Sequence, residues 1–355
     1  MDKSVKRFSL KNVFTIIVVA LLLVVACVYY FHNARSDKSY EGSKRESFVF
    51  GKETSVASDD KMIVHFIDVG QGEGIFISFP DGKNMLIDGG PRGSTDDVIE
   101  YLDDLGVKKI DLVLATHSHE DHVGVLPGVF SKYDVSYCLR PMVYYSGKNR
   151  IKLRGDFNLP SKIESAATSD TPYYLNFLKA VSAEKCGWGY FNKDSDFRQS
   201  FVYDGGEYSY TFDFYTPTAA VPEIAYEDLN DYSPICVLSY GDFSLMLTGD
   251  AERFTENEFL NYYKNTGYPD VDVLSVGHHG SSTSSSYDFI RAIKSEYAVI
   301  SCGKDNDYDH PTRGTLDRLR GNIVYRTDLH GNVVVTVKSD GRFSFSPSIE
   351  EVFGA

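Results

Sequence analysis

The sequence predicts an α/β domain of two packed β-sheets with helices on their outer faces, set behind an N-terminal segment of different character. Three observations predict it. From Met62 onward, strand-like and helix-like stretches alternate. The strands fall into two runs, each joined and flanked by helices, which suits a sheet sandwich covered outside by helices. Several apolar strands also end directly in His or Asp, where an active site at one edge of a sandwich draws its groups.

Each element has a local reason. Residues 63–69, 74–79 and 85–87 read as strands, joined by the turn signals Gly70-Gln71-Gly72 and Pro80-Asp81-Gly82-Lys83. Residues 94–105 read as a helix, with Ser94 or Thr95 as cap and Asp96 and Asp97 in the first turn. Residues 110–115 are continuously apolar apart from Asp111 and read as a buried strand, followed by a polar turn and a short helix at 126–130. Residues 142–200 are less regular, with a helix over 171–183. Strands follow at 208–215, 235–240, 243–247, 271–276, 297–301 and 333–337, and helices at 252–264, 287–293 and 312–320. No internal repeat of solenoid length occurs.

The first 60 residues stand apart. Lys3, Lys6, Arg7 and Lys11 form a basic segment (1–12), and residues 13–31 carry no charge. About nineteen apolar residues nearly span ~30 Å of hydrocarbon. The basic flank keeps the N-terminus inside, so the rest of the chain faces out. This reading gives a single-pass signal anchor in a bacterial cell membrane. A second reading takes Val24-Val25-Ala26-Cys27 as a lipoprotein signal with lipidation at Cys27, although Val28-Tyr29-Tyr30-Phe31 continues the apolar run. A cleaved secretory signal is a third, with an apolar core longer than such signals have. All three export the domain at 61–350. Residues 32–60 are polar and read as a flexible tether.

Nine of the 36 basic and seven of the 50 acidic residues fall in 1–60, leaving 27 and 43 in the remainder, a net of −16. Such a surface opposes tight non-specific binding to long nucleic acid, where phosphate contacts dominate affinity. Lys148, Arg150, Lys152 and Arg154 alternate and would share one face of an extended strip, which suits a phosphate or equally a solvated loop edge. Cys138, Cys236 and Cys302 lie in apolar stretches and read as buried thiols, with Cys186 outside them. No C-x-x-C occurs.

The chemistry concentrates in Thr116-His117-Ser118-His119-Glu120-Asp121-His122, which holds three of the nine histidines. A turn after a rigid strand holds ligands in place, and His with Asp suits zinc, iron or manganese rather than a thiolate site. Asp88, Asp250 and the pair His278-His279 end three further strands.

In this order, Asp88, the His117–His122 cluster, Asp250 and His278-His279 match the motifs of the metallo-β-lactamase fold superfamily, which the chain resembles. A closer resemblance is to the metallo-hydrolase domain of ComEC-like proteins, the competence proteins related to DNA internalisation. It is carried by His65-Phe66-Ile67-Asp68-Val69-Gly70-Gln71-Gly72-Glu73, His278-His279-Gly280-Ser281, Asn306-x-Tyr308-x-His310-Pro311 and Arg326-Thr327-Asp328-x-x-Gly331. The match covers about residues 61–340.

This resemblance implies a four-layer αββα sandwich and two divalent metal ions, zinc first and manganese second. His117 and His119 would bind one metal and Asp121 and His122 the other, with Asp250 bridging and His279 completing the second site. Asp88 would orient the histidine loop from behind. Asp121 and His278 would move protons. Asn306 and His310 would contact a phosphate, or merely brace their loop. Asp68 reads as structural.

Two departures follow. The superfamily's intermediate histidine is absent, since none occurs from 123 to 277, which leaves the His117/His119 site one protein ligand short. Glu73 also stands where relatives carry Asp. Taken together, these residues lead to an extracytoplasmic metal-dependent hydrolase of phosphodiesters, nuclease-like, in which an ionised metal-bound water attacks. The alternatives are a hydrolase of small esters, lactones or wall-polymer phosphoesters, and a non-catalytic metal-binding module.

Overall fold

Ile75, Phe76 and Ile77 are all buried, yet they serve two different cores. Successive side chains of a strand point to opposite faces. Ile75, Ile77, Met85, Ile87, Leu112 and Leu114 face one way, and Phe76, Leu86 and Val113 the other. A sheet buried on both faces therefore reads as continuous apolar sequence. The computed structural model describes residues 55–146, 168–218 and 226–347.

One sheet runs in the order 343–346, 333–337, 62–66, 74–78, 84–88, 109–114, 134–140 and 187–190. Its first five strands pair antiparallel and the rest parallel. The other runs 55–56, 196–203, 206–214, 236–240, 243–247, 273–275, 297–300 and 323–326, and its last three strands join parallel. Parallel neighbours need crossover connections, and helices supply them. Thr95–Asp104, Leu126–Lys132 and Pro172–Ala183 serve the first sheet, and Arg253–Tyr263, Tyr287–Ile293 and Arg313–Arg318 the second.

Three cores result. Between the sheets, Phe66, Ile77, Met85 and Leu112 share one cluster with Phe212, Leu238, Leu245 and Val299. Outside the first sheet, Phe76, Leu86 and Val113 pack with the helix residues Val98, Leu102, Val129 and Phe177. Outside the second, Met246, Leu274 and Ala298 pack with Phe259, Phe289 and Ile293. The predicted sheet sandwich with outer helices is thus the architecture observed.

Several local expectations need correction. Strands at Asp134–Arg140, Gly187–Tyr190, Asp196–Tyr203, Ile323–Arg326 and Phe343–Ser346 were not predicted. In Asp196–Tyr203 the buried polar Gln199 stands between the inward-facing Phe197 and Phe201 and masks their alternation. Neither Ser94 nor Thr95 caps its helix: their hydroxyls donate back to the carbonyls of Pro91 and Arg92, closing a preceding 3₁₀ turn. Cys138, Cys236 and Cys302 are buried thiols, and Cys186 is a half-buried one. The predicted anchor at 13–31, the tether up to residue 54 and the basic strip at Lys148–Arg154 lie outside the described residues. No helix among the described residues is long and apolar enough to cross a membrane.

His65 shows how the fold handles a histidine away from the site. It is buried beside Phe76, its Nδ1 lies 2.9 Å from the Tyr101 hydroxyl, and burial pushes its pKa down from 6.5 to about 4. Between those values the unfolded chain binds the proton that the folded chain excludes. The stabilisation is therefore complete above pH 6.5 and is lost as pH falls towards 4. His65→Gln is expected to flatten this loss, read as the melting temperature of both proteins from pH 7.5 to 4.5. Parallel curves would contradict it.

Candidate metal centre

Strands from both sheets stop at one edge and hand over to polar residues. Asn84–Asp88 ends in Asp88, and Lys109–Leu114 runs into the His117 turn. Phe243–Leu247 leads through Thr248-Gly249 to Asp250, and Val273–Ser275 through Val276-Gly277 to His278-His279. Binding at the carboxyl ends of parallel strands is the general habit of α/β sheets. Two glycines permit the close approach. Gly249 turns with φ 47, and a Cβ there would sit 3.0 Å from Thr116 Cβ and 3.1 Å from Ser233 Cβ. At Gly72 a Cβ would strike the Asp121 carbonyl, beside the point where the Glu73 N–H donates to that same oxygen. The Gly70–Glu73 motif therefore backs the histidine loop.

Two sets of donor atoms share Asp250. Asp121, His122, Asp250 and His279 each offer an atom within 4.8 Å of one another, and so do His117, His119 and Asp250. In the first set His122 Nε2 is 3.0 Å from Asp250 Oδ1, and His279 Nε2 is 3.5 Å from the same oxygen and 3.3 Å from Asp121 Oδ2. In the second, His117 Nε2 is 3.1 Å from His119 Nδ1 and 3.6 Å from Asp250 Oδ2. Each oxygen of Asp250 thus faces a different set. His278 joins neither at that spacing, although its Nε2 lies 3.6 Å from Asp250 Oδ2. A further buried group, Glu73, Asp88 and His122, lies against the first set.

In His279 and His122 the far nitrogen faces an acceptor, which fixes the tautomer. His279 Nδ1 lies 2.9 Å from the Ser301 carbonyl, which can only accept, so Nδ1 carries the hydrogen and Nε2 is left for a ligand. His122 Nδ1 donates to Asp88 Oδ2 at 2.7 Å. Asp88 also accepts from Thr116 N at 2.9 Å and Thr116 Oγ1 at 2.6 Å, so it locks the whole turn. His117 Nδ1 is 3.2 Å from the hydroxyls of both Thr116 and Ser233, and Ser233 Oγ in turn accepts from Asp250 N.

Electrostatics follow from this crowding. Burial opposes charge on His122, but Asp250 and Asp88 outweigh it and hold its pKa well above the usual value. Burial likewise opposes ionised Asp250, and His122, His279 and His117 more than offset it. Burial and the neighbouring His122 hold His117 well below its usual value. Asp121 is lowered despite burial, chiefly by its hydrogen bond with His279. Burial pushes Glu73 up to about 7, and Ser275 Oγ donates to it at 2.9 Å. Bracketing carboxylates therefore draw positive charge to the centre.

The donor set fits divalent metal. Ligands about 2.0–2.1 Å from one zinc stand roughly 3.4 Å apart in a tetrahedron. The spacings above run from 3.0 to 3.6 Å. All donors are imidazole nitrogens or carboxylate oxygens, as zinc, iron or manganese accept.

Other predicted residues divide. His310 lies at the site, its ring 5.6 Å from that of His278 and 6.4 Å from that of His279. Asn306 does not face it: Oδ1 accepts from Tyr308 N and His310 N, and Nδ2 donates to the carbonyls of Gly303 and His310. Both ends of the Asn306 amide are bonded within its own loop. Asp68 Oδ1 accepts from Gly70 N, a turn contact. Sequence reasoning missed Thr116, Ser233, Glu252 and Ser301, each of which holds a histidine ring. Thr116 opens the histidine run and Glu252 lies two residues beyond Asp250, so these two stood near a motif, and Ser233 and Ser301 did not.

Residues 67–186 match the model of the Metallo-beta-lactamase superfamily. The chain carries a metallo-β-lactamase superfamily domain. Over 304 residues it is 27% identical to ComE operon protein 3 of Bacillus subtilis (strain 168), covering 80% of this chain and 34% of that protein. Competence protein ComA of Neisseria gonorrhoeae is 26% identical over 270 residues, 74% of this chain and 30% of that one. Recombination protein 2 of Haemophilus influenzae is 33% identical over 133 residues, 35% and 16% of the two chains. The chain thus spans about a third of the length of the first two relatives. Among solved structures, a diphosphatase of the PhnP family aligns at TM-score 0.37 and 14% identity over 75% of this chain and 94% of that one. The diiron β-hydroxylase CmlA of Streptomyces venezuelae aligns at 0.40 and 14%, over 79% and 55%. Asp88 and the His117–His122 cluster fall within the matched residues, and Asp250 and His278-His279 lie beyond them.

Proposed function

We propose that this metallo-β-lactamase domain is a dinuclear metal-dependent phosphodiesterase, tethered by residues 13–31 to the outer side of a bacterial membrane. The observation that carries it is Asp250, whose two oxygens face two separate histidine sets. His117, His119 and Asp250 would hold one ion, and Asp121, His122, Asp250 and His279 the other. Two such ions supply an ionised water near neutral pH and offset oxygen charge that develops on the substrate.

The chain's own residues do the rest. Asp121 is the least buried carboxylate of the sets, and His279 keeps it ionised, so it accepts a hydrogen bond from the attacking water and orients it. Gln71 Oε1 accepts from Gly303 N, so its Nε2 faces His310 Nδ1 at 3.4 Å and donates to it. That leaves His310 Nε2 with the hydrogen. Burial and the charge of His278 lower His310 to about 4, so near neutral pH it is an uncharged donor. A non-bridging phosphate oxygen suits it.

Phosphodiesters are favoured because relatives of this chain are named competence and recombination proteins. The acidic surface favours short strands or small phosphodiesters over long duplex. The test is a panel on the full-length chain: single- and double-stranded DNA, a model phosphodiester and a lactone. Each is run with chelator, with added zinc or manganese, and with His119→Ala. Cleavage of phosphodiesters that chelator and His119→Ala abolish is expected, with DNA cleavage falling steeply as salt rises. Lactone turnover alone would replace the reading with a carboxylic ester hydrolase. A chain that binds no metal and turns over nothing would overturn it.

A further inference from the structure

The missing intermediate histidine leaves the His117/His119 set with three donors against the four of its neighbour. We infer that His278 supplies it, so that the adjacent histidines 278 and 279 each serve one of the two metals. The inference rests on the dinuclear reading above and adds a ligand to it.

Four observations carry it. First, His278 Nε2 is 3.6 Å from Asp250 Oδ2, the oxygen that also stands 3.6 Å from His117 Nε2, whereas His279 Nε2 faces Oδ1. The His-His pair is divided between the two oxygens as the rest of the centre is. Second, both residues hold left-handed backbone, with φ 51 and 53. Such a conformation costs non-glycine residues energy and persists where surrounding structure requires it. Here it turns successive rings apart, with 72° between their planes.

Third, His278 Nδ1 is held as a metal-binding histidine's outer nitrogen commonly is, by a carboxylate: Glu252 Oε1 at 3.1 Å. Glu252 Oε1 is itself fixed by Thr283 Oγ1 at 2.8 Å and Asn230 Nδ2 at 3.3 Å. The arrangement repeats that of Asp88 behind His122. Fourth, the ring has room to complete its approach. Its distance to Asp250 is already that of two ligands on one ion, and its side chain is 22% exposed, so it is not locked in by packing. Ligation at Nε2 with Nδ1 on Glu252 leaves His278 no nitrogen with which to shuttle a proton. It therefore replaces the general-acid role that the sequence suggested.

The experiment measures zinc and manganese bound per full-length chain, and the affinity of each step, by competition with a chelator of known affinity. Circular dichroism checks folding. Wild type is expected to bind two ions, His278→Ala to keep one, and His278→Cys, which restores a ligand, to bind two. Glu252→Gln is expected to weaken one step by about 10–100-fold and leave the other unchanged. His278→Ala binding two ions with unchanged affinities would overturn the inference while leaving the dinuclear reading intact. Wild type binding a single ion, or none, would remove both. If His278→Ala fails to fold, Glu252→Gln decides: two unchanged steps overturn the inference.

Discussion

Replacing Asp88 with alanine is expected to destabilise the protein by about 3–5 kcal/mol, the cost of removing one partner from a fully buried charged pair. Asp88 has no solvent exposure and accepts three hydrogen bonds, from Thr116 N, Thr116 Oγ1 and His122 Nδ1. All three donors would be stranded in a site too crowded to admit compensation. Asp88 also has φ 52, which aspartate and asparagine tolerate better than alanine, so part of the loss is backbone strain. Asp88→Asn separates the two: it keeps the backbone preference and removes the charge. Urea denaturation should order the proteins wild type, Asp88→Asn, Asp88→Ala. Metal affinity at the His122 site should fall roughly 10–100-fold in the asparagine variant. An Asp88→Ala protein as stable as wild type would show that the histidine turn holds itself.

Asp250→Ala is expected to remove both metals and reduce hydrolysis to background. Asp250 is the one residue common to the two donor sets. Its loss exceeds that of an outer partner, because each set loses an oxygen facing it directly. It also removes the carboxylate that most strongly favours charge on His122. The His122 ring then retains Asp88 and the more distant Asp121 and Glu73, and the His117/His119 set loses its one carboxylate.

Much of this was legible in the sequence, for physical reasons. Strands buried on both faces must be apolar throughout, so 74–78, 109–114 and 243–247 declared themselves. A metal pair needs several donors held by one rigid turn, so His117–His122 is local and dense. Asp88, Asp250 and His279 were legible because each ends such a strand. What stayed hidden acts at a distance through a single atom. Ser233 reaches His117 across 116 residues with one hydroxyl, and Ser301 reaches His279 with a backbone carbonyl that any residue carries. Asn306 was ambiguous because an asparagine on a Gly/Asp-rich loop binds ligands and braces turns with the same amide, and only its four bonds decide. The strand Asp196–Tyr203 hid because Gln199 stands between Phe197 and Phe201 on the inward face and interrupts the pattern they make.

Asp250 as the shared carboxylate of two metal sites is the central claim, and anomalous scattering tests it most directly. Crystals of the full-length wild type and of Asp250→Ala, grown with zinc or manganese, would be measured at the metal's absorption edge. Two peaks flanking the Asp250 carboxylate, about 3.5–4 Å apart, are expected in the wild type and none in the variant. A single peak among Glu73, Asp88 and His122, or two peaks that survive Asp250→Ala, would contradict it.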